Sequence, residues 1–460
     1  MGGRIATKHA SQGLAAAVIV YNMRVRGEFK LHEQIAGHET PIGNNMNTVR
    51  EKTEAARIAS HELAVLDTQT KNAALLAMAD ALVDGLAEIE EANAKDLGAG
   101  KAKGLSSAML DRLLLDRGRV ELMASNLRDV AALDDPVGTA IKEWTAANGM
   151  QMSRVRTPIG VIGIVYEARP NVTTDTAALC IKAGNCIVMR GGSEAIHSNR
   201  VLARLMSEAG VRAGLPVGAI QFIETTDRSA VDELLGLAEL IDLIIARGSH
   251  RLIKAVTEKS RIPVMKHYRG LCHIYVEQNA DIEMAVNVVE NAKANRPSTC
   301  NSAETALVDE AIAAKLLPLL AVRLAAAGVE VRADEKARAI VPEWAAANEV
   351  DWDTEYLDLI ISLKVVSSFD EAIEHIRRHH SGLADAIITE NEAAAERFLA
   401  LIDSAATYWN ASTRLTDGLP FGIGPASGIN TDRVYPRGPM GIEEMTGSKF
   451  VIRGSGQLRQ

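Results

Sequence analysis

Short, uninterrupted apolar segments alternate with amphipathic helical patterns along most of this chain, and this alternation limits its possible folds more than any other feature. In a first block, helical patterns separate the apolar segments 161–166, 186–190, 220–223 and 243–246; a second block repeats the alternation from 272–276 to 385–388. Strands that alternate with helices form parallel sheets covered by helices on both faces. The sequence therefore predicts an α/β fold with two doubly wound units in tandem, divided near residues 268–270.

The region before the first block has a different pattern. Apolar residues at three-and-four spacing predict amphipathic core helices at 48–66, 68–92 and 117–132. After them, the neighbours Asn148 and Gly149 predict a β-hairpin over residues 136–157, an element that commonly makes subunit contacts. No core-forming periodicity begins before about Thr48, so we expect residues 1–45 to be a poorly ordered extension outside the folded unit.

Composition excludes several classes of function. The chain carries 50 Lys and Arg against 59 Asp and Glu, a net charge of -9, so it has no general attraction for nucleic acid or an anionic membrane. No segment approaches the roughly 20 uninterrupted apolar residues of a membrane span. Four cysteines in 460 residues are too few for a disulfide framework and are typical of a reduced compartment. We therefore expect a cytoplasmic protein.

General motifs for common chemistries are absent. The chain has no G-x-G-x-x-G, Walker A, C-x-x-C, H-E-x-x-H or G-x-S-x-G sequence. His375, His379 and His380 have the spacing of a metal-binding pair, but no carboxylate or cysteine cluster accompanies them. A solvated helix end is the better explanation, and we expect no metal site.

Six sequence blocks together point to one family. They lie, in order, at 166–173, 182–185, 190–195, 291–301, 410–414 and 437–441. In this order, and across nearly all of residues 48–453, the chain resembles the aldehyde dehydrogenase superfamily, and within it the branch that reduces L-glutamyl 5-phosphate. The resemblance implies NADPH-dependent formation of L-glutamate 5-semialdehyde and phosphate, the second step of proline biosynthesis.

The resemblance also assigns catalytic residues. Cys300 would be the nucleophile, because a thiolate attacks an acyl phosphate and forms a thioester as phosphate leaves. Asn171 would be an oxyanion-hole donor, together with the backbone N–H of Cys300. The other cysteines, at 180, 186 and 272, are expected to be structural.

One departure from hydrolytic relatives is informative. Where those enzymes carry a glutamate base in Glu-Leu-Gly-Gly, this chain has His267 followed by Tyr268, Arg269 and Gly270. Loss of the base that activates water favours phosphate as the partner of the acyl enzyme. His267 could assist proton transfer, and a packing role is equally open.

Binding residues follow from the same resemblance. For the cofactor, Arg190 would contact the 2′-phosphate of NADPH, Gly248 and Ser249 the pyrophosphate, and Glu355 the nicotinamide ribose. For the substrate, the candidates are Ser412, Thr413, Arg414 and Arg437. A turn or surface charge for the cofactor residues, and a structural salt bridge for either substrate arginine, remain open alternatives.

The domain roles are implied in the same way. Residues 46–135 and 156–270 would form the cofactor-binding domain, 271–430 the catalytic domain, and 136–155 with 431–460 the oligomerisation elements of a homo-oligomer. Glutamate 5-kinase would be a pathway partner. The alternative functions are a CoA-acylating or hydrolytic aldehyde dehydrogenase, or a non-enzymatic scaffold, which would have lost Cys300 or Asn171.

Overall fold

The computed structural model describes residues 48–266, 269–434 and 436–459. The predicted extension at 1–45 and the candidate His267 therefore lie outside the described residues. Within the described part, no helix is long and apolar enough to cross a membrane.

Five helices precede the first strand. They are α1 Val49–Leu63, α2 Thr68–Asp84, α3 Leu86–Ala102, α4 Ser107–Leu113 and α5 Arg117–Ala132. Helix α1 begins at a capping box, in which the Thr48 hydroxyl accepts from the Glu51 N–H and the Glu51 carboxylate accepts from the Thr48 N–H. The single helix predicted over 68–92 is wrong: it is broken at Gly85. A β-carbon at Gly85 would lie 2.6 Å from Leu205 Cδ1, so the break lets another helix approach closely.

The predicted hairpin is confirmed. Strands β1 Ala140–Thr145 and β2 Gln151–Pro158 pair in antiparallel fashion across a turn in which Gly149 has φ +85. The positive φ explains why the turn carries glycine.

A five-stranded parallel sheet follows. Its strands are β3 Val161–Tyr166, β4 Cys186–Arg190, β5 Ile220–Phe222, β6 Leu243–Arg247 and β7 Val264–Met265; the helices between them are α6 Asn171–Lys182, α7 Ile196–Arg212, α8 Ser229–Gly236 and α9 His250–Lys259. The strand order is β5-β4-β3-β6-β7, so the chain leaves β3 on one side and returns to β6 on the other. The crevice between the carboxyl ends of β3 and β6 is thus a topological switch point, where doubly wound sheets bind ligands.

A seven-stranded parallel sheet forms the second unit. Its strands are β8 Cys272–Val276, β9 Ala303–Asp309, β10 Glu330–Ala333, β11 Ala345–Ala346, β12 Ile360–Val366, β13 Ala384–Ile388 and β14 Ala406–Trp409; its helices are α10 Ile282–Ala294, α11 Glu310–Ala326, α12 Glu335–Ile340, α13 Phe369–His379 and α14 Glu392–Leu401. The strand order is β11-β10-β12-β9-β8-β13-β14. Both sheets have separate apolar cores, as the predicted tandem units require.

The C-terminal residues return to the hairpin. Strands β15 Ile429–Asn430 and β16 Gly438–Pro439 form a small ribbon, and β17 Thr446–Arg453 then pairs with β2 over eight positions. The resulting three-stranded sheet carries exposed apolar side chains such as Phe450, 61% exposed. Its role in oligomerisation stays a prediction.

The histidines of α13 correct one expectation. His375 and His379 are buried rather than solvated, because they face the sheet side of this amphipathic helix. The ring of His375 packs edge-on against Trp352 at 5.3 Å and against His273 at 5.7 Å. Burial lowers the pKa of His375 to about 2, so its ring is neutral and acts as a packing group.

Candidate active site

Cys300 lies in the turn that connects α10 to β9. The Thr299 hydroxyl donates to the Arg296 carbonyl oxygen at 2.8 Å, which closes the turn ahead of the cysteine. The Cys300 side chain is partly buried at the edge of a small apolar cluster that contains Cys272. Burial raises the pKa of the Cys300 thiol, whereas the positive charges of Arg247 and Arg169 act in the opposite direction. The charge of Glu355 acts with burial, and the pKa of the thiol stays above its ordinary value; the two guanidinium groups are the neighbours that favour the ionised, nucleophilic form.

The backbone of Gly270 packs directly against Cys300. A β-carbon at position 270 would lie 2.5 Å from both Cα and the carbonyl carbon of Cys300, so only glycine permits this approach. The Gly270 N–H donates to Glu355 Oε1 at 2.8 Å. Burial raises the pKa of the Glu355 carboxyl group, and this hydrogen bond opposes the shift. The structure thus places Glu355, a predicted cofactor residue, beside the backbone that supports the nucleophile.

A buried ion pair anchors the Glu355 segment. Lys293 Nζ lies 2.7 Å from Glu304 Oε2, and both side chains are almost fully inaccessible. The second oxygen of Glu304 accepts from the N–H of Leu357, a residue with φ +54. Burial raises the pKa of Glu304 to about 7 and lowers that of Lys293. The pair joins α10, β9 and the Glu355 segment around the nucleophile turn.

Asn171 is the first residue of α6, at the carboxyl end of β3. Its side-chain Nδ2 donates to Asp175 Oδ2, one helical turn further on, at 2.9 Å. Asp175 is partly buried, and its other oxygen accepts from Asn126 Nδ2 at 3.2 Å. The predicted oxyanion donor is therefore exposed at a helix N-terminus, and the Asp175 carboxylate holds its side-chain amide by a hydrogen bond.

Four arginines surround the nucleophile turn. Arg169 follows strand β3 and Arg247 is the last residue of the neighbouring strand β6; the Glu167 N–H donates to the Arg247 carbonyl oxygen at 3.0 Å. Arg296 lies in the turn itself, and Arg414 Nη1 donates to the side chain of Asn301, the residue after Cys300. Within the described residues none of the four forms a salt bridge. Burial lowers the pKa of the Arg169 guanidinium, and the nearby charges of Arg247 and Arg296 act in the same direction.

Of the predicted cofactor residues, Gly248 and Ser249 lie at the switch point, Arg190 lies at the end of the adjacent strand β4, and Glu355 lies in the second unit. Ser249 caps α9, and both its N–H and its hydroxyl donate to the Glu167 carboxylate, at 2.7 and 2.8 Å. A carboxylate at these donors shows that the helix N-terminus accepts an oxyanion. Arg190, at the end of β4, is buried, and it donates to the carbonyl oxygens of Gly191 and Thr226 at 3.0 Å. Its Nε is buried without a hydrogen-bond partner among the described residues. Gly248, between β6 and Ser249, has φ +159.

The predicted substrate residues divide into two groups. Thr413 and Arg414 contact the nucleophile turn: the Thr413 hydroxyl donates to the Asn301 carbonyl oxygen at 2.8 Å. The Ser412 hydroxyl accepts from the Arg414 N–H at 3.3 Å, which fixes the start of this short 3₁₀ turn. Arg437 is engaged elsewhere, since its Nη1 lies 2.6 Å from Asp403 Oδ1. This ion pair favours the structural alternative for Arg437.

Sequence reasoning missed four residues of this site: Asp175, Arg169, Arg247 and Arg296. Asp175 carried a weak signal, since an acidic residue four positions after Asn171 lies on the same helix face. Arg169 and Arg296 stand inside blocks that were recognised for other residues. Arg247 carried no signal, because its proximity to Cys300 depends on how the two sheets meet.

The comparisons with known proteins agree with this geometry. A family model described as "Aldehyde dehydrogenase family" matches residues 40–343 and 345–451. The gamma-glutamyl phosphate reductase of Moorella thermoacetica is 52% identical over 412 residues, 90% of this chain and 99% of the relative. That of Rhodospirillum rubrum is 50% identical over 405 residues, 88% of this chain and 95% of the relative.

Two solved structures are similar to the fold. The gamma-glutamyl phosphate reductase of Thermotoga maritima superposes with a TM-score of 0.88 at 45% identity, covering 90% of this chain and 100% of that one. An acetylating aldehyde dehydrogenase of Geobacillus thermoglucosidasius gives 0.64 at 19% identity, covering 90% of this chain and 97% of that one; this likeness shows the fold alone. The predicted fold class is confirmed.

Proposed function

This chain belongs to the aldehyde dehydrogenase family, and within it to the gamma-glutamyl phosphate reductases; on that premise we propose that it reduces L-glutamyl 5-phosphate to L-glutamate 5-semialdehyde and phosphate. The reaction would use NADPH and a thioester on Cys300. It would supply the second step of proline biosynthesis in the cytoplasm. The observation that carries the proposal is the nucleophile turn, where a partly buried thiol lies among four arginines that form no salt bridge with any described residue.

The first half of the reaction is acyl transfer. The Cys300 thiolate attacks the acyl carbon of the substrate and forms a C–S bond, and the carbonyl oxygen takes the negative charge next to Asn171. The carbon–oxygen bond to phosphate then breaks and phosphate leaves with the electron pair. Arg247 and Arg169 support both events, because a positive charge stabilises the thiolate before attack and the phosphate after it.

The second half is reduction of the thioester. NADPH, when bound, supplies the hydride that converts the thioester to the aldehyde and releases the Cys300 thiolate. The chemistry of two predicted residues fits this cofactor. Within the described residues the buried Nε of Arg190 has no hydrogen-bond partner, and the N–H and hydroxyl of Ser249, at a helix N-terminus, would serve the pyrophosphate if they exchanged the Glu167 carboxylate for it. Glu355, held by Gly270, would bind the nicotinamide ribose beside Cys300. These cofactor assignments follow from the family resemblance and from donor chemistry.

The arginines also suit the rest of the substrate. L-glutamyl 5-phosphate carries a phosphate at one end and a carboxylate at the other, so a site for it needs positive charge at two places. Arg414 and Arg296, on the α10 side of the turn, can serve the carboxylate while Arg247 and Arg169 serve the phosphate. Arg437 is left out of this set because Asp403 already binds it.

The reverse reaction tests the proposal. The purified protein is mixed with L-glutamate 5-semialdehyde and NADP⁺, and NADPH formation is followed with and without inorganic phosphate. We expect NADPH to form only with phosphate, and arsenate to replace phosphate because it also attacks the thioester. Formation that needs CoA instead of phosphate, or that needs neither, would assign a CoA-acylating or hydrolytic dehydrogenase and overturn the proposal. A Cys300→Ser control should be inactive with phosphate, with arsenate, with CoA and with none of them.

A further inference from the structure

The side chain of Asp175 links two amides that lie on different helices. One carboxylate oxygen accepts from Asn171 Nδ2 at 2.9 Å, and the other accepts from Asn126 Nδ2 at 3.2 Å. Asn171 and Asp175 lie one turn apart on α6, whereas Asn126 comes from the neighbouring helix α5. The carboxylate is therefore fixed from two directions, and the Asn171 amide is fixed by the carboxylate.

The direction of the Asn171 amide matters for an oxyanion hole. An asparagine side chain has a donor end, Nδ2, and an acceptor end, Oδ1, and the two can exchange places by rotation about one bond. Only the donor end stabilises an oxyanion; the acceptor end would repel it. An exposed asparagine with no fixed partner would populate both orientations.

An ionised carboxylate accepts hydrogen bonds and cannot donate them. Asp175 therefore binds Nδ2 and not Oδ1, and the second hydrogen of Nδ2 remains for another acceptor. We propose that Asp175 is a positioning residue that orients Asn171 as the oxyanion donor, and that Asn126 holds Asp175 in place. The inference rests on the proposed function only for the role of Asn171.

The same geometry predicts a dependence on protonation. A protonated Asp175 donates an O–H, which the Oδ1 of Asn171 can accept. The amide then places Oδ1 where Nδ2 had been, so that the oxyanion would meet an acceptor instead of a donor. Burial raises the pKa of Asp175; the hydrogen bonds from Asn171 and Asn126 and the charge of Arg247 oppose the shift. Because the pKa of Asp175 lies above its ordinary value, acylation should weaken as pH falls through a value higher than that of an exposed aspartate.

The test uses a reaction that needs neither the cofactor nor the natural substrate. Acylation of Cys300 by p-nitrophenyl acetate releases p-nitrophenolate in a burst, and its tetrahedral intermediate carries the same oxyanion. The burst rate is measured for wild type, Asp175→Asn, Asn171→Ala and the double variant. Asp129→Asn, an exposed aspartate on α5, controls for the change of charge.

We expect Asn171→Ala to slow the burst roughly 100-fold, as for the loss of one oxyanion donor. Asp175→Asn should slow it about 10-fold or more, because an amide can hold Asn171 in either orientation. In the Asn171→Ala background the same change should have less than about a twofold effect, since Asp175 acts through Asn171. Asp175→Asn should also remove the part of the fall in burst rate at acid pH that exceeds the roughly tenfold loss per pH unit expected from protonation of the Cys300 thiolate.

Two results would overturn the inference. One is an equal loss from Asp175→Asn in both backgrounds, which assigns the aspartate a purely structural role. The other is a burst rate for Asp175→Asn equal to that of wild type. Failure of the proposed function is recognised separately, because phosphate-dependent NADPH formation would then be absent in the wild type while the burst comparison still stands.

Discussion

Replacing Gly270 by alanine should disable the nucleophile with the smallest possible change of side chain. The added methyl group would lie 2.5 Å from Cα of Cys300, whereas ordinary contacts begin at 3.4 Å. The obstruction is backbone, which no rotamer change can relieve. The Cys300 carbonyl oxygen would lie closer still, so the Cys300 backbone must move by at least about 1 Å, and a misplacement of that size can lower a catalytic rate about 100-fold.

The assay is phosphate-dependent NADPH formation, with kcat normalised to the folded fraction from thermal unfolding. Gly98→Ala is a matched control, because its β-carbon would meet nothing within 4 Å in the interior of α3. The control should keep wild-type kcat and gain up to about 1 kcal/mol in unfolding free energy. A Gly270→Ala protein with kcat within about threefold of wild type would refute the reasoning, since Cys300 would then tolerate the displacement.

Three further changes test other parts of the site. Cys300→Ser should abolish turnover without unfolding the chain. In the wild type, the rate at which iodoacetamide alkylates the Cys300 thiol should still rise above pH 9, because burial raises the pKa of this thiol above its ordinary 9.0. A rate that levels off near pH 7 would contradict this. Glu304→Ala should cost about 3–5 kcal/mol in chemical denaturation, because it leaves the buried Lys293 charge unpaired; a loss below 1 kcal/mol would show that the pair is solvated. Arg190→Ala should weaken NADPH binding about 10- to 150-fold and leave NADH binding unchanged. Equal weakening of both cofactors would mean that the bonds from Arg190 to main-chain carbonyls are its whole role.

Most of the strand framework could be predicted from the sequence. The strands at 161–166, 186–190 and 272–276 have the predicted bounds, because strands buried on both faces are largely continuous apolar segments. The break at Gly85 could not be predicted. Glycine inside a helix costs little, so only the approach of Leu205, far along the chain, decides that the helix ends there.

The site residues show the same difference between features that the local sequence determines and features that distant contacts determine. Cys300 and Asn171 stand in blocks whose residue order identifies them without coordinates. The buried histidines of α13 were misread because a polar sequence gives no sign of what packs against it; Trp352 and His273 supply that environment from distant segments.

Arg247 shows most clearly where sequence reasoning ends. The sequence analysis assigns it no role: it stands between a predicted apolar strand and the Gly248 and Ser249 turn. Its position beside Cys300 requires that β6 be the neighbour of β3 and that the carboxyl edge of this sheet face the turn before β9. Neither condition is local. A single guanidinium is an ordinary surface group. Positive charge is concentrated here only because Arg169 and Arg414 reach the same turn as Arg247 from two other segments, while Arg296 lies in the turn itself. The charge of the site is thus a property of the topology, whereas the nucleophile is a property of the sequence.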